Sequence, residues 1–204
     1  MNDLEVAANE IVSWLQSRQI PYALIGGLAV SFRTIERFTR DIDFAIAVER
    51  DEHAEEIVRE IRFLGYQVHS LLEQTKHGRI TTVRLTKGRE RSVLVDLLFA
   101  SSGIEIEVAA ESELIEIFPK LLVRTATLPA LLAIKVLSAD SESRPQDEID
   151  IRYLLKEATE DELVRADELI RMIELRGYHR GKNLKGDFVG FQARFLNRPG
   201  DRAY

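Results

Sequence analysis

Three acids stand in this chain where apolar side chains would be expected. Asp41 and Asp43 flank Ile42 in "RDIDFAI", and Asp96 interrupts "VLVDLLF". An acid in a strand-like apolar run is costly unless a cation meets it. On a strand, Asp41 and Asp43 point to the same face, because side chains alternate. A third carboxylate on a neighbouring strand would add repulsion that a hard divalent cation with oxygen ligands removes. Two such ions can stabilise the attacking and leaving oxygens of a phosphoryl-type displacement.

A second constellation lies upstream. "YALIGG" runs an apolar segment into Gly26-Gly27, and thirteen residues separate Gly27 from Asp41. A strand that stops at two glycines and restarts as a helix exposes backbone N–H groups and the positive end of a helix dipole, which suits phosphate. By itself the pair is a tight strand-to-helix turn. It reads as a phosphate cradle because the Asp-x-Asp strand follows one helix later.

A third signal is Lys135, inside "LLAIKVL", a helical stretch apolar almost all round. A buried ammonium needs an anion, and either a triphosphate or the acids of the next helix could supply it. Otherwise the side chain snorkels to water. Asp147 and Asp150 are three apart and share a helix face with Ile151 and Leu154. Near a helix start, acids also gain from the dipole alone. His53, His69, His77 and His179 show no metal-ligand spacing, and there is no cysteine. Thiolate metal sites and disulfides are therefore absent.

The elements that must position these residues are legible from periodicity. Residues 3–18 carry Leu4, Ala8, Ile11, Val12 and Leu15 on one helical face. Strands are expected at 22–25, 41–48, 67–72, 79–85 and 92–99, with helices at 28–35 and 52–64 and a stop at Gly65. Residues 105–108 and 113–123 read as short strands around Pro119. The texture then becomes helical: 128–139 behind Thr127 with Pro129 in the first turn, 145–157, and a third helix opened by the capping box Thr159-Glu160-Asp161-Glu162 and ending at Gly177.

At 204 residues, with 45% apolar and 30% charged residues, the chain reads as an ordinary globular protein. No apolar run approaches the ~20 residues of a membrane span, and residues 1–20 do not read as a signal peptide, so a cytoplasmic location is expected. The net charge of −6 conceals a basic end: residues 176–204 hold seven Lys or Arg against Asp187 and Asp201. With Tyr178, Phe188, Phe191 and Phe195 interleaved, that end could follow a polyanion, or it could be a solvated terminus.

Gly26-Gly27, Asp41-Ile42-Asp43 and the later Asp96 together resemble the DNA-polymerase-β-type nucleotidyltransferase superfamily. Within it, "RFTRDIDF" with Arg37, Thr39, Asp41 and Asp43 resembles the signature of the AbiEii-type nucleotidyltransferases, toxin components of toxin–antitoxin and abortive-infection systems. The block carrying Lys135, Arg144, Asp147 and Asp150 is similar to the family's second signature. Family members often have Gly-Ser where this chain has Gly26-Gly27, so a hydroxyl that would touch phosphate is missing.

The resemblance implies an α+β fold: a polymerase-β-like nucleotidyltransferase core with a mixed β-sheet over residues 1–126, then a helical C-terminal portion over 127–204 that contributes to the active site. It implies Mg²⁺ or Mn²⁺ held by Asp41, Asp43 and Asp96, with Lys135 and Asp150 completing the catalytic set. Gly26, Gly27, Arg37, Thr39, Arg40 and Lys135 would bind the nucleotide, and Arg144 would pair with the neighbouring acids. The expected reaction transfers a nucleoside monophosphate from an NTP to a hydroxyl, with tRNA or another RNA as acceptor and an antitoxin protein as partner. A small-molecule acceptor, as in antibiotic-modifying enzymes, is the alternative with the same chemistry. A silent nucleotide-binding regulator is the alternative of another class.

Overall fold

The computed structural model describes residues 3–35, 39–74, 78–87, 93–140 and 144–196. Helix α1 (Asp3–Ser17) buries Ala7, Ala8, Ile11, Val12 and Leu15, the stripe expected from its periodicity. A turn through Gln19, at φ 55°, leads into β1 (Tyr22–Ile25), whose four residues are all buried. Helix α2 (Gly26–Arg33) begins at the next residue. Then come β2 (Asp41–Ile46), α3 (Asp51–Phe63), β3 (Gln67–Gln74), β4 (Arg79–Thr86) and β5 (Leu94–Leu98). Gly65, at φ +88°, closes α3, where the left-handed backbone favours glycine.

Residues 105–108 do not form the expected strand. Glu105–Ala110 is a helix, α4, because the Glu105 carboxylate accepts hydrogen bonds from the Ser101 and Ser102 amides and the Ser102 hydroxyl, fixing the turn that starts it. The expected strand pair around Pro119 is present as β6 (Glu113–Phe118) and β7 (Leu121–Thr125).

The seven strands form one mixed sheet in the order β3-β4-β5-β2-β1-β7-β6. β2 lies antiparallel to β1 and parallel to β5, which in turn pairs antiparallel with β4. The α+β expectation with a mixed sheet therefore holds. Four further helices follow: α5 (Leu128–Ser138), α6 (Pro145–Glu157), α7 (Glu160–Leu175) and α8 (Leu184–Leu196). The capping box opens α7 as the sequence indicates, with the Thr159 hydroxyl accepting from the Glu162 amide and the Glu162 carboxylate accepting from the Thr159 amide. One apolar core runs from Ile11 and Leu15 through Phe44 and Leu97 to Leu131, Ile151, Ile170 and Phe188, so both parts of the chain bury their apolar faces together.

The basic end is not a solvated tail as far as residue 196. Helix α8 buries Leu184 and Phe188, and several of the cations are consumed internally. Arg176 pairs with Glu107 at 2.7 Å, Arg180 donates to the Ser101 carbonyl and hydroxyl, and Arg194 pairs with Glu148 at 2.8 Å. Lys182 donates to the carbonyls of Leu137 and Ala139, at 2.9 and 2.6 Å, closing the end of α5. No helix among the described residues is long and apolar enough to cross a membrane.

Candidate active site

Register brings the acids together. Asp43 on β2 stands opposite Asp96 on β5, and Asp96 stands opposite Arg84 on β4; on the other side Asp43 faces Ile25 of β1. One row across four strands thus reads Ile25, Asp43, Asp96, Arg84. Asp41 precedes Asp43 by two positions and shares its face. The intervening Ile42, with Phe44 and Ile46, is fully buried on the opposite face, which pins the acids to the more open side.

Gly26 closes the site from β1. Its φ is +69°, and a Cβ placed there would lie 1.9 Å from Asp43 Oδ2. Only a residue without a side chain permits the backbone to approach the carboxylate this closely. Gly27 follows in the first turn of α2, and its carbonyl accepts a hydrogen bond from the Ser31 hydroxyl at 3.0 Å. No side chain caps the N-terminus of α2.

The third acid is already met by a cation that sequence reasoning did not single out. Arg84 Nε donates to Asp96 Oδ1 at 2.8 Å and Nη2 to Oδ2 at 2.6 Å, a two-pronged contact. Asp96 is 6% exposed, whereas the Arg84 side chain is 39% exposed. The signal in the sequence was a lone arginine inside "RITTVRLT", a strand otherwise free of charge past Arg79. It becomes interpretable only once the β4–β5 register is known. Asp41 and Asp43 show no such two-pronged partner among the described residues, although Arg40 lies near Asp41.

The electrostatics follow from that arrangement. Burial, then the neighbouring Asp96 and Asp41 charges, push the Asp43 carboxyl up to about 7, against opposing pulls from Lys135 and Arg84. Burial also raises Asp41, with Arg84 opposing and Asp96 adding. The Arg84 guanidinium is held above its ordinary range by its bonds to Asp96. Two neighbouring carboxyls with raised pKa values mark a place short of positive charge. Among the described residues no group of three or more His, Cys, Asp or Glu stands in metal-holding geometry, since Asp96 is turned into Arg84. The donor set nonetheless fits a hard cation at Asp41 and Asp43: same-face carboxylates, destabilised as anions, beside a glycine that leaves room.

Lys135 is buried, at 8% exposure, and its anion comes from the next helix. Its Nζ lies 2.6 Å from Asp147 Oδ1 and 2.8 Å from Asp150 Oδ2. The Ser138 hydroxyl donates to Asp147 Oδ2 at 2.9 Å, and the Gln146 amide to Asp150 Oδ1 at 3.2 Å. Of the two openings left by the sequence, the acids of α6 hold the ammonium here, and Lys135 still lies close enough to Asp43 to act on its charge. Arg144 does not form the expected pair: it is exposed at the start of α6 and makes no ion pair with Asp147 or Asp150, supplying only a carbonyl to the Asp147 amide. The Thr39 hydroxyl donates to the Asp41 carbonyl at 3.3 Å and so braces the strand rather than facing outward. Arg37 lies outside the described residues.

Comparison with solved structures bears on the fold. An antigenic nucleotidyltransferase-like protein from Paracoccidioides brasiliensis superposes with a TM-score of 0.53 at 18% identity, covering 92% of each chain. The antibiotic-resistance factor ANT(2″)-Ia follows at 20% identity and TM-score 0.47, over 96% of this chain and 95% of its own. The first of these likenesses establishes a nucleotidyltransferase fold. No curated protein matches the sequence significantly. The chain belongs to the family described as nucleotidyl transferase AbiEii toxin, type IV TA system, whose family model matches residues 14–202. It is accordingly a nucleotidyltransferase.

Proposed function

We propose that this nucleotidyltransferase moves a nucleoside monophosphate from an NTP to a hydroxyl of RNA, the hydroxyl attacking the α-phosphorus and pyrophosphate leaving, with tRNA as the leading acceptor, and acts as the toxin of a pair whose antitoxin protein restrains it in the cytoplasm. The observation that carries the reading is the row Asp43, Asp96, Arg84, with Gly26 closing on Asp43 and Asp41 two residues along. Asp41 and Asp43 would hold Mg²⁺ or Mn²⁺, which would supply positive charge to the phosphates. The chain's own groups do the rest. The amides at Gly26 and Gly27 receive the β- and γ-phosphates, with the α2 dipole behind them. Arg40 adds positive charge beside Asp41, and Arg37 is assigned to the same end of the nucleotide. Asp96, steadied by Arg84, is placed to accept the proton of the attacking hydroxyl. Lys135, held by Asp147 and Asp150, presents fixed positive charge towards Asp43. In this division residues 1–126 bind nucleotide and cation, and residues 127–204 supply Lys135 and Asp150.

The test is incubation with each α-labelled NTP and total RNA, with and without EDTA, beside Asp43→Ala. Labelled RNA that needs divalent cation and Asp43 is the expected result. Losing a cation ligand should cost on the order of 10³-fold in rate or more. Undiminished labelling in EDTA or by Asp43→Ala overturns the reading.

A further inference from the structure

Arg176, Arg180, Lys182 and Arg194 of the chain's basic end are engaged within the fold, so an RNA acceptor needs cations elsewhere. The end of α3 offers the complementary surface. Arg59, Arg62 and Phe63 with Tyr66, Gln67 and Val68 line an open groove of about 770 Å³ between α3 and the start of edge strand β3. Arg59 and Phe63 are four apart and share a helix face, opposite the buried Ala54, Ile57, Val58 and Ile61. Phe63 is 84% exposed. Neither arginine has an ion-pair partner among the described residues, in contrast to Arg18, Arg33, Arg84, Arg165, Arg171, Arg176 and Arg194. Tyr66 is not available as a ring: its hydroxyl donates to Glu10 and Lys87 Nζ sits 5.1 Å from its centroid. Phe63 is thus an exposed aromatic face beside two guanidiniums without ion-pair partners among the described residues, on a protein of net charge −6.

The groove opens at the end of the sheet where the acids begin. Gln67 pairs with Thr86, Thr86 with Leu94, and Leu94 with Asp41, so one row of partners joins groove and site. Three strand spacings make that about 14 Å. We infer that this groove seats the single-stranded part of an RNA acceptor, one base stacked on Phe63 and backbone phosphates against Arg59 and Arg62. The strand then runs along the sheet end to bring its hydroxyl to Asp41 and Asp43. A free aromatic face beside two guanidiniums without ion-pair partners suits a base and its phosphates. The inference rests on the RNA reading above, and its test separates the two.

The probe is a fluorescein-labelled, mixed-sequence single-stranded RNA of about 12 nucleotides, titrated with the full chain by anisotropy across a salt series. The double variant Arg59→Gln/Arg62→Gln should lower the slope of log K against log salt by about 1.4, because each phosphate contact on a single strand accounts for about 0.7. Phe63→Ala should weaken binding about tenfold with the slope kept. Binding of a fluorescent NTP in Mg²⁺ should be the same in all three proteins. If the unaltered chain fails to bind the probe at the lowest salt, the RNA reading fails and takes this site with it. If the unaltered chain binds and the variants match it in affinity and slope, the groove alone is overturned as a seat for RNA. Variants that match it on RNA yet lose a protein partner overturn it equally, and make the groove a protein contact.

Discussion

Arg84→Gln separates a structural ion pair from one that belongs to the site. Asp96 cannot reach water, being 6% exposed, while the Arg84 side chain is 39% exposed. Removing the arginine therefore strands a buried charge, and removing the acid frees an arginine that can hydrate. Stranding one partner of a fully buried pair costs about 3–5 kcal/mol, and the partial exposure of Arg84 argues for less, about 2–3 kcal/mol. For a chain of this length each kcal/mol lowers Tm by about 2–4 °C, so the metal-free variant should melt about 4–12 °C below the parent. Asp96→Asn should lose far less, and the double variant Arg84→Gln/Asp96→Asn should recover most of the loss. A second readout addresses the site itself. With Arg84 gone, Asp43 and Asp96 stand in register with Asp41 on the same face and lose their nearest counter-charge, so Mg²⁺ or Mn²⁺ should raise the variant's Tm more than the parent's. The assay is a thermal melt in EDTA and in a divalent-cation series. Equal losses for Arg84→Gln and Asp96→Asn, or an equal Tm gain from cation in parent and Arg84→Gln, would refute the reasoning.

The other expectations can be checked with the same preparations. Gly26→Ala places a methyl 1.9 Å from Asp43 Oδ2 at a φ of +69°, so it should abolish transfer and lower Tm, measured by RNA labelling and melting. Lys182→Met removes the donor to the Leu137 and Ala139 carbonyls and should destabilise the protein by about 1–3 kcal/mol while changing RNA affinity little, read by denaturant titration and anisotropy. Asp43 carries a folded-state pKa raised from 3.8 to about 7. Raised acids favour the folded state when protonated, so this contribution is largest at low pH and is lost progressively as pH rises from about 4 through about 7. In EDTA, Asp43→Asn should flatten that decline across the same window, followed by Tm against pH.

Much of the scaffold was legible because its signals are local. The stripe of α1, the stop at Gly65, the capping box at Thr159 and the two glycines before α2 each depend on neighbours within a turn or two. Glu105 to Val108 misled because "EIEV" alternates like a strand, while the helix is decided by three hydrogen bonds that Glu105 receives from Ser101 and Ser102. The site divides the same way. Asp41, Asp43 and Asp96 stood out as acids among apolar residues, but the sequence could not show that Asp96 is already held. Arg84 became its partner through a hairpin register. The internal bonds of the basic end were out of reach for a related reason: Arg176, Arg180, Lys182 and Arg194 find acceptors between 43 and 79 residues away, and no window of sequence contains both partners.

The two internal ion pairs also determine how a nucleotide can arrive. Arg84 is committed to Asp96, and Lys135 is shared between Asp147 and Asp150. Taken with Asp41 and Asp43, these side chains carry five acids against two cations, a local charge of −3 before Arg40 is counted once Asp43 is ionised above pH about 7. A bare triphosphate approaching such a place meets repulsion, strengthened by the limited solvent around Asp43. Helix α2 offers only the partial positive charge of its dipole, about half a unit, which cannot balance the sum. On the proposed reading, nucleotide and divalent cation would bind together, a cation at Asp41 and Asp43 offsetting two of these negative charges. Measured by titration of a fluorescent NTP, affinity in EDTA should fall at least tenfold below that in Mg²⁺. Asp43→Asn, which removes one negative charge, should narrow the gap by strengthening binding in EDTA. An NTP affinity indifferent to the cation would mean that the phosphates lie away from the acids.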